Sequence, residues 1–425
     1  MSGPGRLGTA SLSRLPEGVE RPLYDRTGLA PGVIHIGSGA FHRAHQAPIF
    51  DDIAAAGDLA WGVIDISLHS GAGARRLATQ DGLFVLEVRG ETAQPRLVGS
   101  ILRALVAREH EAACLAVFAD PQIQLVTLTI TEKGYTDRAT ASFIARGLDA
   151  RRLAGLPGLT LISCDNIPDN GGRLRRALLK SSPSPGANSL SEWIESACAF
   201  PSTVVDRITP ATKDADRAAL ANRFGVADEA LTVTEPYSQW IIEDAFAGPT
   251  PDFSSVGVRL VADVGPFALA KLRLLNAAHS ALAWLGLMAG CELVHEIAGT
   301  PQAGAYIERL WDEAAATLPP APGLDLPTYR ASLMRRLNNA ALPHRLAQIS
   351  EDSAVKLAPR LLDPLAERLD RGLPSPAMAL AVAAYSLWTG TRDAPLPERI
   401  HEVLGPALST LRTLGPMAAM TRIVA

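Results

Sequence analysis

The 425-residue sequence predicts an α/β fold in which a doubly wound parallel sheet is followed by a mainly α-helical domain. Short runs rich in β-branched residues alternate with helical stretches over the first half of the chain, which is typical of strand–helix–strand units. Strand-like runs then end, after residues 257–267, and helical periodicity takes over. Because the chain is too long for one ordinary core, we expect two domains with a boundary near Asp263. The predicted parts are an N-terminal extension (1–29), a sheet domain (30–262) and a helical domain (263–425).

Six runs of the sheet domain are predicted to be strands. They are 33–36, 61–67, 84–88, 123–130, 159–164 and 231–234. The helix after the first strand is predicted over about 43–56, and a Pro/Ser/Gly-rich stretch over 181–189 is predicted to be a loop.

Composition excludes several classes of protein. The net charge is −4 and no basic stripe with interleaved aromatic residues is present, which argues against nucleic-acid binding. The most apolar tracts are shorter than a membrane span, and the N-terminus has no apolar core of signal-peptide length, so we expect no membrane association and a cytoplasmic protein. The four cysteines form no C-x-x-C pair, which fits a reducing compartment and argues against structural zinc.

A glycine turn follows the first predicted strand in "VIHIGSGAFHRAHQ", residues 33–46. Gly37 and Gly39 form the tight turn that lets a backbone pass close to a pyrophosphate, and the next helix N-terminus favours the same anion. This predicts a Rossmann-type nucleotide site, although His42 stands where the third glycine is usual. A metal site at His42 and His45 is an alternative, but it lacks the acid or cysteine partners that such sites usually recruit.

The helical half begins with a long apolar helix, predicted over 266–291. At about 100° per residue, Lys271, Asn276 and His279 lie at roughly 0°, 140° and 80°, within one arc of the helix surface. Such a triplet is also typical of the solvated stripe of an amphipathic helix. Here the stripe does not continue, because residues 281–291 carry no charge on any side. We therefore predict a buried helix with Lys271 enclosed in a cavity.

An enclosed Lys271 suits a general base, because partial desolvation lowers the pKa of a lysine amine toward neutrality. The amide of Asn276 can donate to a developing alkoxide or carbonyl oxygen, and the imidazole of His279 can hold a neighbouring hydroxyl. Asn166 follows the strand predicted over 159–164, at the sheet edge where ligands bind, and is a second amide for the same oxygen. An Asx turn is the alternative role for Asn166.

Another strand end carries polar residues. Thr131, Glu132 and Lys133 follow the strand predicted over 123–130 and are candidates for contact with a nicotinamide ribose or a pyrophosphate. Each is equally compatible with an ordinary loop residue. The pair Asn170 and Gly171 is predicted to be a turn without a functional role.

Seven stretches together resemble the polyol-specific long-chain dehydrogenase family, which includes mannitol dehydrogenase, arabinitol dehydrogenase and mannonate (fructuronate) oxidoreductase. They are "IHIGSGAFHRAHQ" (34–46), "TITEKGY" (129–135), "SCDNIPDNG" (163–171), "FPSTVVDRITPAT" (200–212), "TEPYSQWIIED" (234–244), "KLRLLNAAHSALAWLG" (271–286) and "LPHRLAQISEDSAVKL" (342–357). The resemblance extends in order from about residue 30 to 420. Each motif is weak alone, and the set is very specific.

The resemblance implies a Rossmann domain and a mainly helical domain with the active site between them, and hydride transfer without a metal. The family's catalytic lysine corresponds to Lys271, its two oxyanion-binding asparagines to Asn166 and Asn276, and its substrate-orienting histidine to His279. The candidate cofactor-binding residues are Ile36, Gly37, Gly39, Ala40, Phe41, Arg43, Thr131, Glu132 and Lys133.

The chain departs from the family pattern at three places. Ala268 stands where the family often has a glutamate three residues before the lysine. The segment after Tyr135 is shorter than the family pattern, and the usual "MDGS-K" run reads "ISEDSAVK" over 349–356. In this last region Arg345 and Lys356 are candidates for contacts with substrate hydroxyl or carboxylate groups.

The choice between NAD and NADP depends on the end of the second strand, where an acid would bind the ribose 2′-hydroxyl. Asp65 comes earlier than expected, and His69 and Ser70 occupy the expected position. Arg75 and Arg76 follow closely and are compatible with the 2′-phosphate of NADP or with a solvated helix start. The family resemblance favours NAD.

The sequence thus predicts a metal-independent NAD(P)-dependent oxidoreductase that interconverts a linear polyol and a ketose, with a lysine general base. A mannonate-type sugar acid is the alternative substrate, and a nicotinamide-binding protein that has lost turnover is the alternative function. We expect a small-molecule partner and a monomer or small homo-oligomer.

Overall fold

The computed structural model describes residues 5–15, 18–182, 189–390 and 398–425. Most of the loop predicted over 181–189 and the first residues of the predicted N-terminal extension lie outside the described residues. The chain forms two compact units, Met1–Val264 and Gly265–Ala425. In the part of the chain that the structure describes, no helix combines the length and the apolar character needed to cross a membrane.

The first unit is organised around a five-stranded sheet in the order β6-β3-β2-β7-β8, in which every neighbouring pair is parallel. The strands are β2 (Pro31–Ile36), β3 (Gly62–Ser67), β6 (Ile101–Val106), β7 (Leu125–Leu128) and β8 (Thr160–Ser163). The first strand of the sequence prediction therefore lies at the centre of the sheet, and its carboxyl end carries the glycine turn.

Both faces of this sheet are covered. Ile34 and Ile36 of β2 belong to one buried cluster, and Val33 belongs to another. Because successive side chains of a strand point to opposite faces, the two clusters lie on opposite sides of the sheet. The chain is therefore a doubly wound α/β protein in this unit, as the sequence predicts. The helices of the first unit are α1 (Ala40–Ala44), α2 (Gln46–Ala55), α3 (Ala72–Ala78), α4 (Ala107–Phe118), α5 (Thr131–Thr136), α6 (Arg138–Leu153), α7 (Asn170–Ser181), α8 (Leu190–Ala197) and α9 (Asp214–Phe224).

Two of the predicted strands belong to a smaller sheet. The runs over 84–88 and 231–234 form β4 (Phe84–Arg89) and β11 (Thr232–Thr234), which pair with each other in the order β11-β4-β5. The sequence prediction had not separated them from the main sheet, because strand pairing is decided by distant partners. Strands that were not predicted are β1 (Gly5–Arg6), β5 (Ala93–Val98), β6, β9 (Thr203–Asp206), β10 (Val226–Ala227), β12 (Gln239–Glu243) and β13 (Arg259–Val261).

The helix after the glycine turn differs from its prediction over 43–56. It begins at Ala40, and it is interrupted at His45, whose backbone angles are φ −121° and ψ −73°. The helix begins a few residues before the predicted start, because the extended conformation of Gly39 allows it to begin directly after the turn.

The second unit is helical. Its long apolar helix runs through α10 (Gly265–Ala270), a π-helical turn (Lys271–Asn276) and α11 (Ala277–Met288). A second π-helical turn, Ala358–Leu362, packs against the first. The remaining helices are α12 (Val294–Ala298), α13 (Pro301–Ala315), α14 (Leu326–Leu337), α15 (Leu346–Ser350), α16 (Ser353–Leu357), α17 (Asp363–Asp370), α18 (Pro376–Thr389) and α19 (Glu398–Val424).

Candidate active site

The two glycines of the turn have different structural roles. Gly37 has φ +114°, and a Cβ there would lie 2.2 Å from the carbonyl oxygen of Thr129. The fold itself therefore requires glycine at this position. Gly39 is exposed, has ordinary extended angles, and its Cβ would meet nothing closer than 3.9 Å. The open space beside Gly39 is thus available to a ligand.

The other predicted cofactor residues of this segment are less accessible. Ile36 is fully buried in the sheet, while Ala40 and Phe41 are half-buried. Arg43 is only 7% exposed, and it donates from Nε to the Thr232 hydroxyl at 3.0 Å and from Nη1 to the Ser38 carbonyl at 3.1 Å. Arg43 therefore connects the glycine turn to β11, a role that differs from the direct cofactor contact predicted for it.

The histidines of the segment are also structural. His45 donates or accepts at both nitrogens, with the Gln239 carbonyl at 2.8 Å from Nε2 and the Gln46 amide at 3.0 Å from Nδ1. His42 stacks on His35 with ring centroids 3.4 Å apart and nearly parallel planes. One ring nitrogen of each of these two histidines and a carboxylate oxygen of the buried Asp65 lie within 4.8 Å of one another. This group differs from the alternative of a metal site at His42 and His45, because it contains His35 and Asp65 and not His45, whose ring nitrogens are both hydrogen-bonded.

Two strand ends are joined by a buried carboxylate. Asp165, just after β8, accepts from the backbone N–H of Ile130 at 3.1 Å and of Thr131 at 2.9 Å, and from the Tyr135 hydroxyl at 2.8 Å. Thr131 has φ +61°, an uncommon conformation for a residue other than glycine. Burial raises the pKa of Asp165 above its usual value. Asp165 thus fixes the loop after β7 beside the loop after β8.

The candidate ligand-contacting residues of these loops are exposed. Asn166, Thr131, Glu132 and Lys133 all lie at the surface of the first unit, at the carboxyl edge of the sheet. Thr131 begins the short helix α5, so these residues and Gly134 lie in a helix.

Asn170 is a correction to the sequence interpretation. It is buried at the start of α7, and its side-chain amide donates to the carbonyl oxygens of Asp165 at 3.0 Å and Thr203 at 3.1 Å. Its Oδ1 accepts from the backbone N–H of Thr203 at 2.9 Å. Asn170 therefore holds the loop that carries Asn166, a role that only contacts with the distant strand β9 reveal.

The end of β3 bears on the choice of nicotinamide cofactor. Asp65 lies inside the strand and is fully buried, and burial raises its pKa to about 7. It cannot serve as the acid that binds a ribose. His69 lies 3.6 Å from a carboxylate oxygen of Asp137, and Arg75 forms an ion pair with Glu109. Arg75 is therefore already paired, while Arg76 is exposed.

The helix that carries Lys271 contains a π-helical turn, and this turn includes the predicted catalytic residues Lys271 and Asn276. In a π turn the hydrogen bonds join residues i and i+5, so residues five apart come onto nearly the same side. Lys271 and Asn276 are five residues apart and lie at its two ends. The α-helical angles assumed from the sequence therefore overstate their separation around the helix axis.

The π turn is held by buried contacts on its other side. The Trp311 indole donates to the Leu274 carbonyl at 3.0 Å, and Arg273 binds Glu367 through two bonds of 2.8 and 2.5 Å. Lys271 is 7% exposed and His279 is 8% exposed. The prediction that this helix is buried is confirmed for the second unit.

The segment after α14 adds further polar groups to this helix. The ring of His344 packs edge-on against His279, with centroids 5.5 Å apart. Lys356 donates to the backbone carbonyl oxygens of Glu351 and, at 3.4 Å, Ile349. Arg345, in contrast, is exposed.

One charged residue of this region escaped the sequence interpretation. Arg360, in the second π turn, donates from Nη1 to the Ser280 hydroxyl at 2.9 Å. Its only signal in the sequence was its position four residues after Lys356, which does not distinguish it from a surface arginine.

Known proteins resemble this chain over nearly all its length. The mannitol dehydrogenase Rossmann domain matches residues 31–255, and the mannitol dehydrogenase C-terminal domain matches residues 263–404. Mannitol 2-dehydrogenase of Pyrenophora tritici-repentis is 32% identical over 98% of this chain and 79% of its own length. D-mannonate oxidoreductase of Escherichia coli is 35% identical over 89% of this chain and 83% of its own length.

A solved structure extends the similarity to the fold. Pseudomonas fluorescens mannitol 2-dehydrogenase, in a ternary complex with NAD and D-mannitol, superposes with a TM-score of 0.84 at 30% identity and covers 99% of both chains. The two matching domains together cover most of the chain, and the relatives above share more than 30% identity with it over most of its length. The chain belongs to the mannitol dehydrogenase family.

Proposed function

We propose that this protein is an NAD-dependent oxidoreductase that interconverts a secondary alcohol of a linear polyol or sugar acid and the corresponding ketone, with Lys271 as general base. The observation that carries the proposal is the buried Lys271 placed five residues before Asn276 on a π-helical turn. Family membership supports the reaction class.

The first unit is proposed to bind the cofactor. Gly39 leaves open space at the carboxyl edge of the sheet, a cradle that a larger side chain would fill, and this fits the close approach of a dinucleotide backbone. Thr131, Glu132 and Lys133 are exposed at the same edge and remain candidates for contacts with the cofactor. The related Pseudomonas enzyme binds NAD, which makes NAD the proposed cofactor here.

The second unit is proposed to handle the proton. As the alcohol is oxidised, Lys271 in its neutral form takes the hydroxyl proton and becomes an ammonium. When NAD is bound, it supplies the acceptor for the hydride that leaves the carbinol carbon. The C–H and O–H bonds break, the C=O bond forms, and the two electrons leave with the hydride. In the reverse direction the same ammonium returns its proton to the oxygen.

The amides are proposed to stabilise the oxygen. Asn276 and Asn166 each donate a hydrogen bond to the alkoxide-like oxygen, and preorganised donors of this kind lower a barrier because they need no reorientation during reaction. His279 is proposed to hold a neighbouring hydroxyl, and its packing against His344 restricts the imidazole.

The decisive test is the Lys271→Ala variant. Turnover with either a polyol or a sugar acid is expected to fall about 10²–10⁴-fold, the usual contribution of general-base catalysis. Affinity for NADH, measured by fluorescence titration, is expected to stay the same because the first unit is unchanged. Unchanged turnover would refute the role of Lys271.

A panel of mannitol, arabinitol, sorbitol and mannonate, each with NAD and NADP, tests the reaction class. We expect oxidation of at least one member with NAD. Binding of NADH with no turnover on any member would favour the alternative of a nicotinamide-binding protein without catalysis. That alternative accounts for Ala268 in place of the family's usual glutamate, but it does not account for the buried Lys271 on the same π-helical turn as the half-buried Asn276.

A further inference from the structure

Arg360 is a cation without a carboxylate partner among the residues that the structure describes. Its Nη1 donates to the Ser280 hydroxyl at 2.9 Å and, more weakly, to the Asn276 carbonyl oxygen at 3.4 Å. These bonds fix one end of the guanidinium. Burial lowers the pKa of Arg360 to about 10, so the group is still charged at neutral pH.

The rest of the Arg360 guanidinium is available. Within the described ranges of the chain, no hydrogen bond involves its Nε or its Nη2. The Nε–Nη2 side is one of the forks with which an arginine binds a carboxylate through two parallel bonds. The half-buried Arg360 is therefore held through one nitrogen, and its Nε–Nη2 side has no hydrogen-bond partner among the described residues.

Arg273 provides an internal contrast. It lies in the first π turn, which packs against the turn that carries Arg360. Its guanidinium binds the carboxylate of Glu367 through two bonds of 2.8 and 2.5 Å. The protein thus neutralises Arg273 with its own acid and leaves Arg360 without one.

The helix facing Arg360 adds positive charge and no negative charge. The sequence from Gly265 to Met288 contains Lys271 and Arg273 but no aspartate or glutamate. Lys356, one turn before Arg360, has a pKa lowered first by burial and then by the charge of Arg360. Glu351 and Asp352 are exposed and act on Lys356. Two neighbouring cations that repel each other would both be stabilised by an anion.

We propose that Arg360 binds the carboxylate of the substrate, so that this protein acts on a linear sugar acid in preference to an uncharged polyol. The inference rests on the proposed function, because it concerns the substrate of the same site. Arg360 contacts Asn276, the residue proposed to bind the reacting oxygen, through its backbone. A carboxylate held by Arg360 is therefore proposed to lie beside the end of the first π turn, the backbone segment that carries the proposed catalytic amide.

The test compares two substrates of equal chain length that differ at one end. D-mannonate carries a carboxylate, whereas D-mannitol carries a hydroxymethyl group. Wild-type protein with NAD is expected to show at least about 10-fold higher kcat/KM for mannonate, since charge-assisted hydrogen bonds are about twice as strong as neutral ones.

The Arg360→Gln variant is expected to lose about 10–100-fold in kcat/KM for mannonate, mainly through a higher KM. Its kcat/KM for mannitol is expected to change less than about 3-fold. Arg360→Lys keeps the charge without the fork, so we expect partial recovery for mannonate. Arg371→Gln is the matched control, because Arg371 is exposed and, among the described residues, its side chain donates to the Ala316 backbone carbonyl alone. Its kinetics are expected to match the wild type.

Three results would overturn the assignment: equal losses on both substrates in Arg360→Gln, no loss on mannonate, or a wild-type protein that oxidises mannitol and neither oxidises nor binds mannonate. In the last case the proposed oxidoreductase function stands and only the carboxylate contact fails. If Arg360→Gln does not fold, the wild-type preference and the Arg360→Lys kinetics decide. If wild-type protein oxidises neither mannonate nor mannitol, that result would instead contradict the proposed function.

Discussion

The glycine turn of the first unit and the lysine helix of the second unit use polar side chains in opposite ways. In the glycine turn and the neighbouring strand ends, polar side chains hydrogen-bond to the backbone of their own unit; these are Arg43, Asp165 and Asn170. The exposed backbone of Gly39 has open space beside it. In the lysine helix, buried contacts fix the π turn from its other side, and side chains carry the proposed chemistry.

This difference suggests that backbone groups bind the cofactor and side chains carry the chemistry. A site made of backbone suits the phosphates of a cofactor, because backbone geometry does not depend on which side chains surround it. A site made of side chains can be changed one group at a time, as Ala268 and Arg360 illustrate. Substitutions in the two regions are therefore expected to have distinct consequences.

The largest effect is expected at Gly37. Gly37→Ala places a Cβ 2.2 Å from the Thr129 carbonyl oxygen at a positive φ, so the free energy of unfolding should fall by about 3–5 kcal/mol. Gly57→Ala is the matched control, because Gly57 has φ +102° with nothing within 4 Å and should cost only the backbone strain. Thermal or urea unfolding measures both. Equal losses in the two variants would show that the close approach to Thr129 is unimportant.

Asn276→Ala is expected to have the next largest effect and to affect chemistry alone. Losing one donor to the reacting oxygen typically lowers kcat about 10²–10³-fold. The backbone carbonyl that accepts from Arg360 is kept, and NADH affinity should not change. Steady-state kinetics and NADH titration distinguish the two quantities. A variant with normal kcat would remove Asn276 from the proposed mechanism.

Gly39→Val is expected to have the opposite profile. The extended backbone at Gly39 accepts a branched residue, so the fold should be retained, while the side chain occupies the open space beside the turn. We expect NADH affinity to fall about 10-fold, with Gly39→Ala intermediate, because a bulkier group prevents close backbone approach. Titration with NADH measures this series. Unchanged affinity in the valine variant would move the cofactor site elsewhere.

The smallest effect is expected from Asp65→Asn, and it concerns the pH dependence of stability. Its pKa is raised to about 7 by burial, so the folded protein keeps a proton that the unfolded chain releases near pH 4. Stability should therefore fall as pH rises from about 4 to about 7 and then level off. Asp65→Asn should reduce this fall in Tm between pH 5 and 8 by a few degrees. Asp244→Asn, at an exposed position, is the control and should leave this fall in Tm unchanged. The same dependence of Tm on pH in wild type and both variants would contradict the raised pKa of Asp65.

Local patterns in the sequence were sufficient for much of the architecture. The runs that became β2, β3, β7 and β8 were predicted within about two residues, because buried parallel strands read as short β-branched segments. The burial of the lysine helix followed from the absence of charge over 281–291. The predicted roles of Lys271, Asn166, Asn276 and His279, and the domain limits, stay predictions until they are tested.

Other features depend on contacts that no local pattern encodes. The strand β4 joins the smaller sheet because its partner, β11, lies more than 140 residues away. Asn170 looked like a turn residue because its partner Thr203 is on another strand. Arg43 was predicted to contact the cofactor, and its hydrogen bond to Thr232 could not be foreseen because Thr232 is distant in the chain.

By itself, the amino-acid sequence determined the glycine turn, the polar residues at the strand ends and the apolar helix. Each of these features depends on residues that are neighbours along the chain. Only the tertiary structure decided the π-helical turn over Lys271–Asn276, because Trp311 and Glu367, elsewhere in the unit, bind Leu274 and Arg273 of this turn. It also decided that Arg273 meets a carboxylate, whereas Arg360 meets none among the described residues. The pairing of a charge depends on which groups packing brings near it, and spacing along the chain does not contain that information.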